Sequence, residues 1–242
     1  MTRFDADVII AGAGMAGATL ALALKGGGIE PLLVDPLPFE TQLEPTFDGR
    51  SSAIACSCFR QWRTLGLAPL LEPYAERMNE ILVTDGRSPG AASPAQTPFF
   101  LHFDASEIAD RVEGEPLGYM LENRRTRAAL AEGVTAAGIP VLAPERVASV
   151  SVKPDCAEVT LASGRVLRAP LVVGAEGRGP IVRKAAGIDV TGWDYPQTGV
   201  VCTVKLQHGH GGVAHEYFLP GGPFAILPLT DDRASLVWTE KR

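Results

Sequence analysis

A glycine-rich turn constrains this chain more than any other feature of its sequence. Residues 8–36 read VIIAGAGMAGATLALALKGGGIEPLLVDP and place Gly12, Gly14 and Gly17 in the spacing G-x-G-x-x-G. The continuously apolar run before the turn is typical of a parallel strand that is buried on both faces. The small, leucine-rich run after the turn is predicted to be helical. The order strand, glycine turn, helix predicts a dinucleotide-binding unit.

Each position of the turn has a physical task in such a unit. Gly12 permits the tight turn, Gly14 lets a pyrophosphate approach the backbone, and Gly17 lets the helix pack closely on the strand. The first-turn amides, which include those of Met15 and Ala16, combine with the helix dipole to favour a diphosphate. We therefore expect these five residues to bind the cofactor.

Asp35 narrows the choice of dinucleotide. It closes the second predicted strand, residues 31–34, and lies twenty-three residues after Gly12. Its carboxylate can accept hydrogen bonds from both hydroxyls of an adenosine ribose. The same carboxylate would repel a 2′-phosphate, and no arginine directly follows it. NAD and FAD remain as candidates.

The remaining pattern divides the chain into an α/β first half and an all-β end. Helices are predicted over residues 56–67 and 124–137, and a surface loop over residues 86–98. Alternating segments at 147–152, 157–161 and 164–168 predict an antiparallel meander. Four further strands are predicted at residues 200–206, 214–219, 224–229 and 234–239.

Bulk properties exclude some classes of function. The net charge is −6 and no basic stripe is present, so we expect no nucleic-acid partner. The four cysteines show no metal-binding or redox spacing and are expected to be reduced, which fits a cytoplasmic protein. The apolar residues 8–24 are too short and too broken for a membrane span or a targeting segment.

Four stretches carry a resemblance to a known family. They are FDGRSSAIA (residues 47–55), LGYMLENRRTRAAL (117–130), LVVGAEGRGPIVRKAAGI (171–188) and YFLPGGPFAILPLTDDRASLVWTE (217–240). With the glycine turn, they resemble the single-component FAD-dependent aromatic hydroxylases of the para-hydroxybenzoate hydroxylase fold. Within that group the chain is most similar to the ubiquinone-biosynthesis hydroxylases.

The resemblance implies a fold and its division along the chain. The expected class is α/β, with a Rossmann-like FAD-binding domain and its three-stranded meander interleaved with a mainly antiparallel substrate-domain sheet. The FAD-binding domain would take residues 1–75 and 106–187. The substrate domain would take residues 76–105 and 188–242.

The resemblance also implies further FAD contacts. Arg50 lies in the family's D-x-R segment, where an arginine reaches the phosphate and ribityl region. Glu122 lies where relatives carry Gln, Arg or Glu near the ribityl chain, although a solvated residue at a helix start is an equal alternative. Glu176 replaces the Asp of the G-A-D-G motif, whose carboxylate contacts the ribityl chain and whose motif bears on NAD(P)H use.

The activity implied is that of an FAD-dependent monooxygenase that uses NAD(P)H and O₂. It would hydroxylate the ring of a polyprenylated phenol in ubiquinone biosynthesis, in the cytoplasm or at the inner membrane face, in contact with the membrane surface or a biosynthetic complex. The pair His208 and His210 is read as part of a polar loop, and no metal site or catalytic side chain is predicted. A related prenyl-lipid oxidoreductase and a shortened, non-catalytic paralogue that serves as an assembly or lipid-binding subunit remain open.

One fingerprint of the family is missing. Its G-D-A-x-H type segment does not occur, and none of the four histidines follows a Gly-Asp pair. We therefore expect a sequence truncated at its C-terminal side, with an incomplete substrate-domain sheet. The missing segment would contact the flavin, so this chain alone is expected to bind FAD weakly or not at all.

Overall fold

The described part of the chain falls into two units that are each built from non-contiguous segments. The computed structural model describes residues 4–44, 46, 48–85, 100–108, 112 and 114–242. Unit 1 takes residues 1–47, 64–68 and 126–192, and unit 2 takes residues 48–63, 69–125 and 193–242. The surface loop predicted over residues 86–98 lies outside the described residues, as does Phe47 of the quoted D-x-R stretch.

Unit 1 contains a four-stranded parallel sheet in the order β12-β1-β2-β8. Its strands are β1 (Val8–Ala11), β2 (Pro31–Val34), β8 (Val141–Leu142) and β12 (Leu171–Gly174). Helix α1 (Met15–Gly26) connects β1 to β2. Every residue of β1 and β2 is buried, as their continuous apolar runs predicted. The predicted β-α-β unit is confirmed, and all four strands end at the same edge of the sheet.

An antiparallel meander packs against this sheet. It consists of β9 (Val147–Val152), β10 (Ala157–Leu161) and β11 (Val166–Ala169). Its inward side chains, such as Val159 and Leu167, are fully buried against Ile9 of the parallel sheet. The predicted meander is confirmed because its alternating residues present one apolar face to the core.

Two glycines hold α1 against the sheet. Gly12 has φ +106, and a Cβ at this position would lie 2.3 Å from the carbonyl oxygen of Ala175. A Cβ at Gly17 would lie 1.9 Å from the carbonyl oxygen of Gly12. Neither position has room for a side chain, so both glycines are needed for the turn itself.

Unit 2 contains two sheets. Its elements include α3 (Cys56–Thr64), β3 (Ser51–Ala55), β4 (Glu76–Met78), β5 (Glu80–Thr84), β6 (Phe100–Asp104), β7 (Gly118–Glu122), β13 (Gln197–Lys205), β14 (Val213–Leu219), β15 (Gly222–Leu229) and β16 (Arg233–Lys241). One sheet has the order β13-β16-β15-β14-β5-β6, in which only the β14–β5 pair is parallel. The other has the order β3-β7-β4 and is antiparallel. The two sheets share a core of Met78, Met120, Ala214 and Leu229.

Of the four remaining α-helices in the described residues, only α5 (Asn123–Ala136) is longer than five residues. The others are α2 (Phe39–Gln42), α4 (Ala68–Leu71) and α6 (Ile181–Ala185). The predicted helices at 56–67 and 124–137 correspond to α3 and α5, and the four predicted C-terminal strands correspond to β13–β16. Strands β3–β7 were not predicted, because each has only three to five residues and segments such as EILVT in β5 show no clear alternation of polar and apolar residues.

Unit limits and predicted domain limits differ. Residues 48–63 and 106–125 belong to unit 2, which also contains the C-terminal strands. The sequence assigned both segments to the FAD-binding domain. The predicted domain limits remain a prediction, because compactness alone does not say which residues bind a cofactor.

An ion pair joins the two sheets of unit 2. Arg233 at the start of β16 contacts both carboxylate oxygens of Glu122 at 3.4 Å, and Arg124 approaches the same carboxylate at 3.1 Å. Burial raises the pKa of Glu122, but the hydrogen bonds and charges of the two arginines outweigh it and hold the pKa below its usual value. The pair therefore stabilises unit 2 while Glu122 is ionised.

The close contact at α1 predicts contrasting effects of one added methyl group. Gly17→Ala would press its methyl group into the Gly12 carbonyl and should lower the free energy of unfolding by about 3 kcal/mol. Gly14→Ala is the matched control, because no atom lies within 4 Å of its Cβ position and its φ is −69. Its unfolding free energy should stay within about 1 kcal/mol of wild type. Equal losses in urea unfolding would contradict this packing.

The ion pair predicts a pH-dependent contribution to stability. Since the folded-state pKa of Glu122 is lowered, its contribution is present above the unfolded-state pKa and is lost as the pH falls through the lowered value. Glu122→Gln should therefore cost less than about 1 kcal/mol at pH 7 and less still at about pH 3. Urea unfolding of both proteins across this range measures the difference. Arg233→Gln should show the same trend, and a pH-independent difference would contradict the pairing.

Candidate functional site

Four loops meet at the carboxyl edge of the parallel sheet in unit 1. They follow β1 at Gly12, β2 at Asp35, β8 at Glu145 and β12 at Ala175. Together they line a cavity of about 350 Å³, which also includes Gly14, Arg146, Glu176 and Gly177. This is the edge at which open α/β sheets bind ligands. Four of the predicted site residues, Gly12, Gly14, Asp35 and Glu176, thus line one cavity.

The N-terminus of α1 opens into this cavity at Gly14. Gly14 is the N-cap of the helix, and no side chain caps the helix there. A Cβ on Gly14 would meet no atom within 4 Å, whereas Gly12 and Gly17 are closely packed. Backbone amides of a first helical turn have no acceptor within the helix. Met15 and Ala16 therefore offer donors beside open space.

Asp35 is buried and firmly held next to this turn. One carboxylate oxygen accepts a hydrogen bond from the Ala13 amide at 2.6 Å, and the other accepts one from the Leu37 amide at 2.8 Å. The Gln42 side-chain amide also approaches the second oxygen, at 3.4 Å. A carboxylate offers about four acceptor positions, so capacity remains for a further donor. The sequence predicted the position of Asp35 but not these contacts.

Glu176 has a local role in addition to lining the cavity. Its Oε2 accepts a hydrogen bond from the Val182 amide at 2.8 Å, at the start of the short helix α6. The longer side chain that replaces the expected Asp thus reaches the next element. The predicted contact of Glu176 with a cofactor remains a proposal.

The remaining predicted residues, Arg50 and Glu122, lie in unit 2. Arg50 directly precedes β3, and its guanidinium pairs with Asp48. Glu122 ends β7, its side chain is only 18% exposed, and it forms ion pairs with Arg124 and Arg233. The alternative of a freely solvated residue therefore does not describe its surroundings.

Sequence reasoning missed Arg146 and Glu145. Both line the cavity, and the Glu145 amide donates to the Asp35 carbonyl at 2.9 Å. No motif marks them. The available signal was their position in the loop that follows the short strand β8, whose carboxyl end shares the edge with β1 and β2.

Other polar groups in the described residues give weaker indications of a ligand or metal site. His210 bonds the Leu229 carbonyl and the Gly212 amide and so closes a loop within unit 2. Glu80, His102 and Asp104 could together supply three metal ligands, but they are partly exposed and no further observation points to an ion. In the part of the chain that the structure describes, no helix is long and apolar enough to cross a membrane.

Comparison with known proteins agrees with this geometry. The chain is 42% identical to the ubiquinone hydroxylase UbiL of Rhodospirillum rubrum over 240 residues, which are 98% of this chain and 52% of that protein. It is 32% identical to the 3-demethoxyubiquinol 3-hydroxylase of Escherichia coli over 242 residues, 98% of this chain and 58% of that protein. The chain thus spans about half the length of the curated relatives that it matches.

A solved structure shares the fold. The crystal structure of PqsL, a probable FAD-dependent monooxygenase from Pseudomonas aeruginosa, matches with a TM-score of 0.77 and 25% identity. The match covers 98% of this chain and 61% of PqsL. Residues 5–239, nearly the whole chain, match the FAD binding domain family. The glycine turn, the cavity at the sheet edge and this match agree, and the chain belongs to the FAD binding domain family.

Proposed function

We propose that this chain supplies the FAD-binding part of an NAD(P)H-using monooxygenase. The reaction proposed is hydroxylation of the aromatic ring of a polyprenylated phenol in ubiquinone biosynthesis. One observation carries the proposal: the N-terminus of α1 opens at Gly14 into a cavity that Asp35 also lines. The relatives named as ubiquinone hydroxylases support the substrate class.

The ADP half of FAD fits the residues of unit 1. Gly14 leaves space for a diphosphate, and the amides of Met15 and Ala16 would bind it with the help of the helix dipole. Asp35 would accept hydrogen bonds from the adenosine ribose. Arg146 lines the same cavity, and its guanidinium would add a positive charge near the phosphates.

The flavin end of FAD would contact charged residues whose side chains are already held by other groups of the protein. Arg50 would face the phosphate and ribityl region, and Glu122 and Glu176 would contact the ribityl chain. When bound, FAD would supply the activation of O₂ with electrons from NAD(P)H. The protein would hold and orient the cofactor, which is consistent with the lack of a predicted catalytic side chain.

The substrate class suggests where the protein acts. A polyprenyl tail partitions into a bilayer. We therefore propose that the protein acts in the cytoplasm at the inner membrane face, either in contact with the membrane surface or within a biosynthetic complex.

The cofactor site predicts a selective effect of Gly14→Ala. The added methyl group would occupy the approach to the diphosphate, and the affinity for FAD should fall about tenfold or more. Because this chain alone is expected to bind FAD weakly or not at all, the measurement is chemical-shift titration by NMR, which detects weak binding, with FAD and with ADP-ribose.

A matched control lies at the other end of the same helix. Gly26→Ala also places a methyl group in open space, and it should bind FAD as the wild type does. Unchanged affinity of Gly14→Ala would contradict the diphosphate site. Absence of ADP-ribose binding to the wild type would contradict the proposed function, because the ADP half is assigned to residues of unit 1 alone.

The reaction class is tested on the protein purified from its own cells. With NADPH, ¹⁸O₂ and a prenylated phenol, mass spectrometry should find one ¹⁸O atom in each product molecule. Oxidation or reduction of the prenyl lipid without ¹⁸O would indicate the related oxidoreductase instead. Absence of both reactions and of flavin in the native protein would indicate a non-catalytic subunit.

A further inference from the structure

The D-x-R segment contains a buried carboxylate beneath an exposed guanidinium. The side chain of Asp48 is 5% exposed, whereas that of its partner Arg50 is 63% exposed. Most exposed ion pairs bring two solvated side chains together and contribute little. Here only the cation faces solvent, so the pair is asymmetric.

Asp48 uses both of its oxygens fully. Oδ1 accepts from the Arg50 backbone amide at 3.0 Å and from Arg50 Nε at 2.8 Å. Oδ2 accepts from Arg50 Nη2 at 3.0 Å and from Asn123 Nδ2 at 3.0 Å. The carboxylate thus forms a bidentate ion pair with the Nε and Nη2 edge of the planar guanidinium.

A second layer fixes Asp48 itself. Asn123 is 4% exposed, and its Oδ1 accepts from the Ser52 hydroxyl at 2.6 Å. The backbone amide of Asn123 also donates to the backbone carbonyl of Arg50 at 2.9 Å. The network joins the start of β3 to the start of α5, so Asp48 cannot turn without breaking several hydrogen bonds.

The hydrogen bonds to Asp48 hold the charged Arg50 side chain in one orientation. The hydrogen bond to Asp48, followed by the Asp48 charge, raises the pKa of Arg50, whose guanidinium is protonated at any ordinary pH. Nη1 has no acceptor in the part of the chain that the structure describes. An arginine normally loses considerable rotamer freedom when it binds an anion. In this chain Arg50 loses that rotamer freedom when the protein folds, so less is lost when an anion binds.

We propose that Asp48 is a positioning residue that holds Arg50 ready for an anionic ligand, the diphosphate of the dinucleotide. This inference rests on the proposed function, since FAD supplies the diphosphate. Asp48 itself would not touch the ligand. It would act through the orientation of Arg50, and Asn123 would act through Asp48.

The direct test is the mobility of the Arg50 side chain in the full chain. The ¹⁵N relaxation of Arg50 Nε should indicate a rigid side chain in the wild type and a mobile one in Asp48→Asn. Glu115→Gln is the matched control, because Glu115 is a mostly buried carboxylate that pairs with Arg60 elsewhere in unit 2. It should leave Arg50 rigid. An Arg50 side chain that is equally mobile in wild type and Asp48→Asn would overturn the inference.

Ligand binding supplies the second readout. Arg50→Ala should weaken FAD binding about tenfold to a hundredfold, and Asp48→Asn about threefold to tenfold. The double variant should bind no more weakly than Arg50→Ala, since Asp48 acts through Arg50. If Asp48→Asn does not fold, Asn123→Ala replaces it with the same expected direction.

The outcomes separate this inference from the proposed function. A wild type that binds neither FAD nor ADP-ribose removes the proposed function and this inference together. A wild type that binds FAD while Asp48→Asn binds equally well removes only the inference. Tighter binding by Asp48→Asn would also overturn it, because the carboxylate would then compete with the diphosphate for Arg50. Additive losses in the double variant would assign Asp48 a role independent of Arg50.

Discussion

The close approach of α1 to the parallel sheet is the contact on which the candidate site depends. Gly17 lies so near Gly12, and Gly12 so near Ala175, that neither could carry a side chain. This contact fixes the helix N-terminus directly above the carboxyl ends of β1 and β12. Since the four strands are parallel, every loop that follows a strand reaches the same edge. The cavity and its polar lining follow from that geometry.

Charges in the candidate site residues are held before any ligand arrives. In unit 1, two backbone amides hold the Asp35 carboxylate at the glycine turn. In unit 2, Asp48 holds Arg50, and two arginines hold Glu122. Side chains that are already oriented lose little freedom on binding, which favours affinity and a single binding geometry. The two units thus use the same principle with different partners.

Much of unit 1 could be predicted from the sequence because its signals are local. The spacing of Gly12, Gly14 and Gly17 reflects steric demands within one turn, and the position of Asp35 follows from the length of one helix and one strand. Arg146 could not be found in this way. Its place at the cavity depends on the pairing of the two-residue strand β8 with β2, which no local pattern reveals.

Unit 2 was less predictable, for a different reason. Its six-stranded sheet joins β14 to β5, two strands that are more than one hundred residues apart. Strand β5 reads EILVT and lacks the polar–apolar alternation that marks a strand with one buried and one exposed face. Arg50 and Glu122 were identified through family resemblance, and their partners Asp48 and Arg233 emerged only with the structure. The meander shows the contrast, since its alternating residues gave both its strands and its buried face.

The central claim is that the carboxyl-edge cavity of unit 1 receives the ADP half of FAD. The most direct measurement is an NMR titration of the isotope-labelled chain with ADP, with the shifts mapped onto the backbone amides. The largest shifts are expected at Gly14, Met15, Ala16 and the loop after β2, with Arg146 next to them. Shifts that are absent from these amides, or that concentrate elsewhere in the chain, would contradict it.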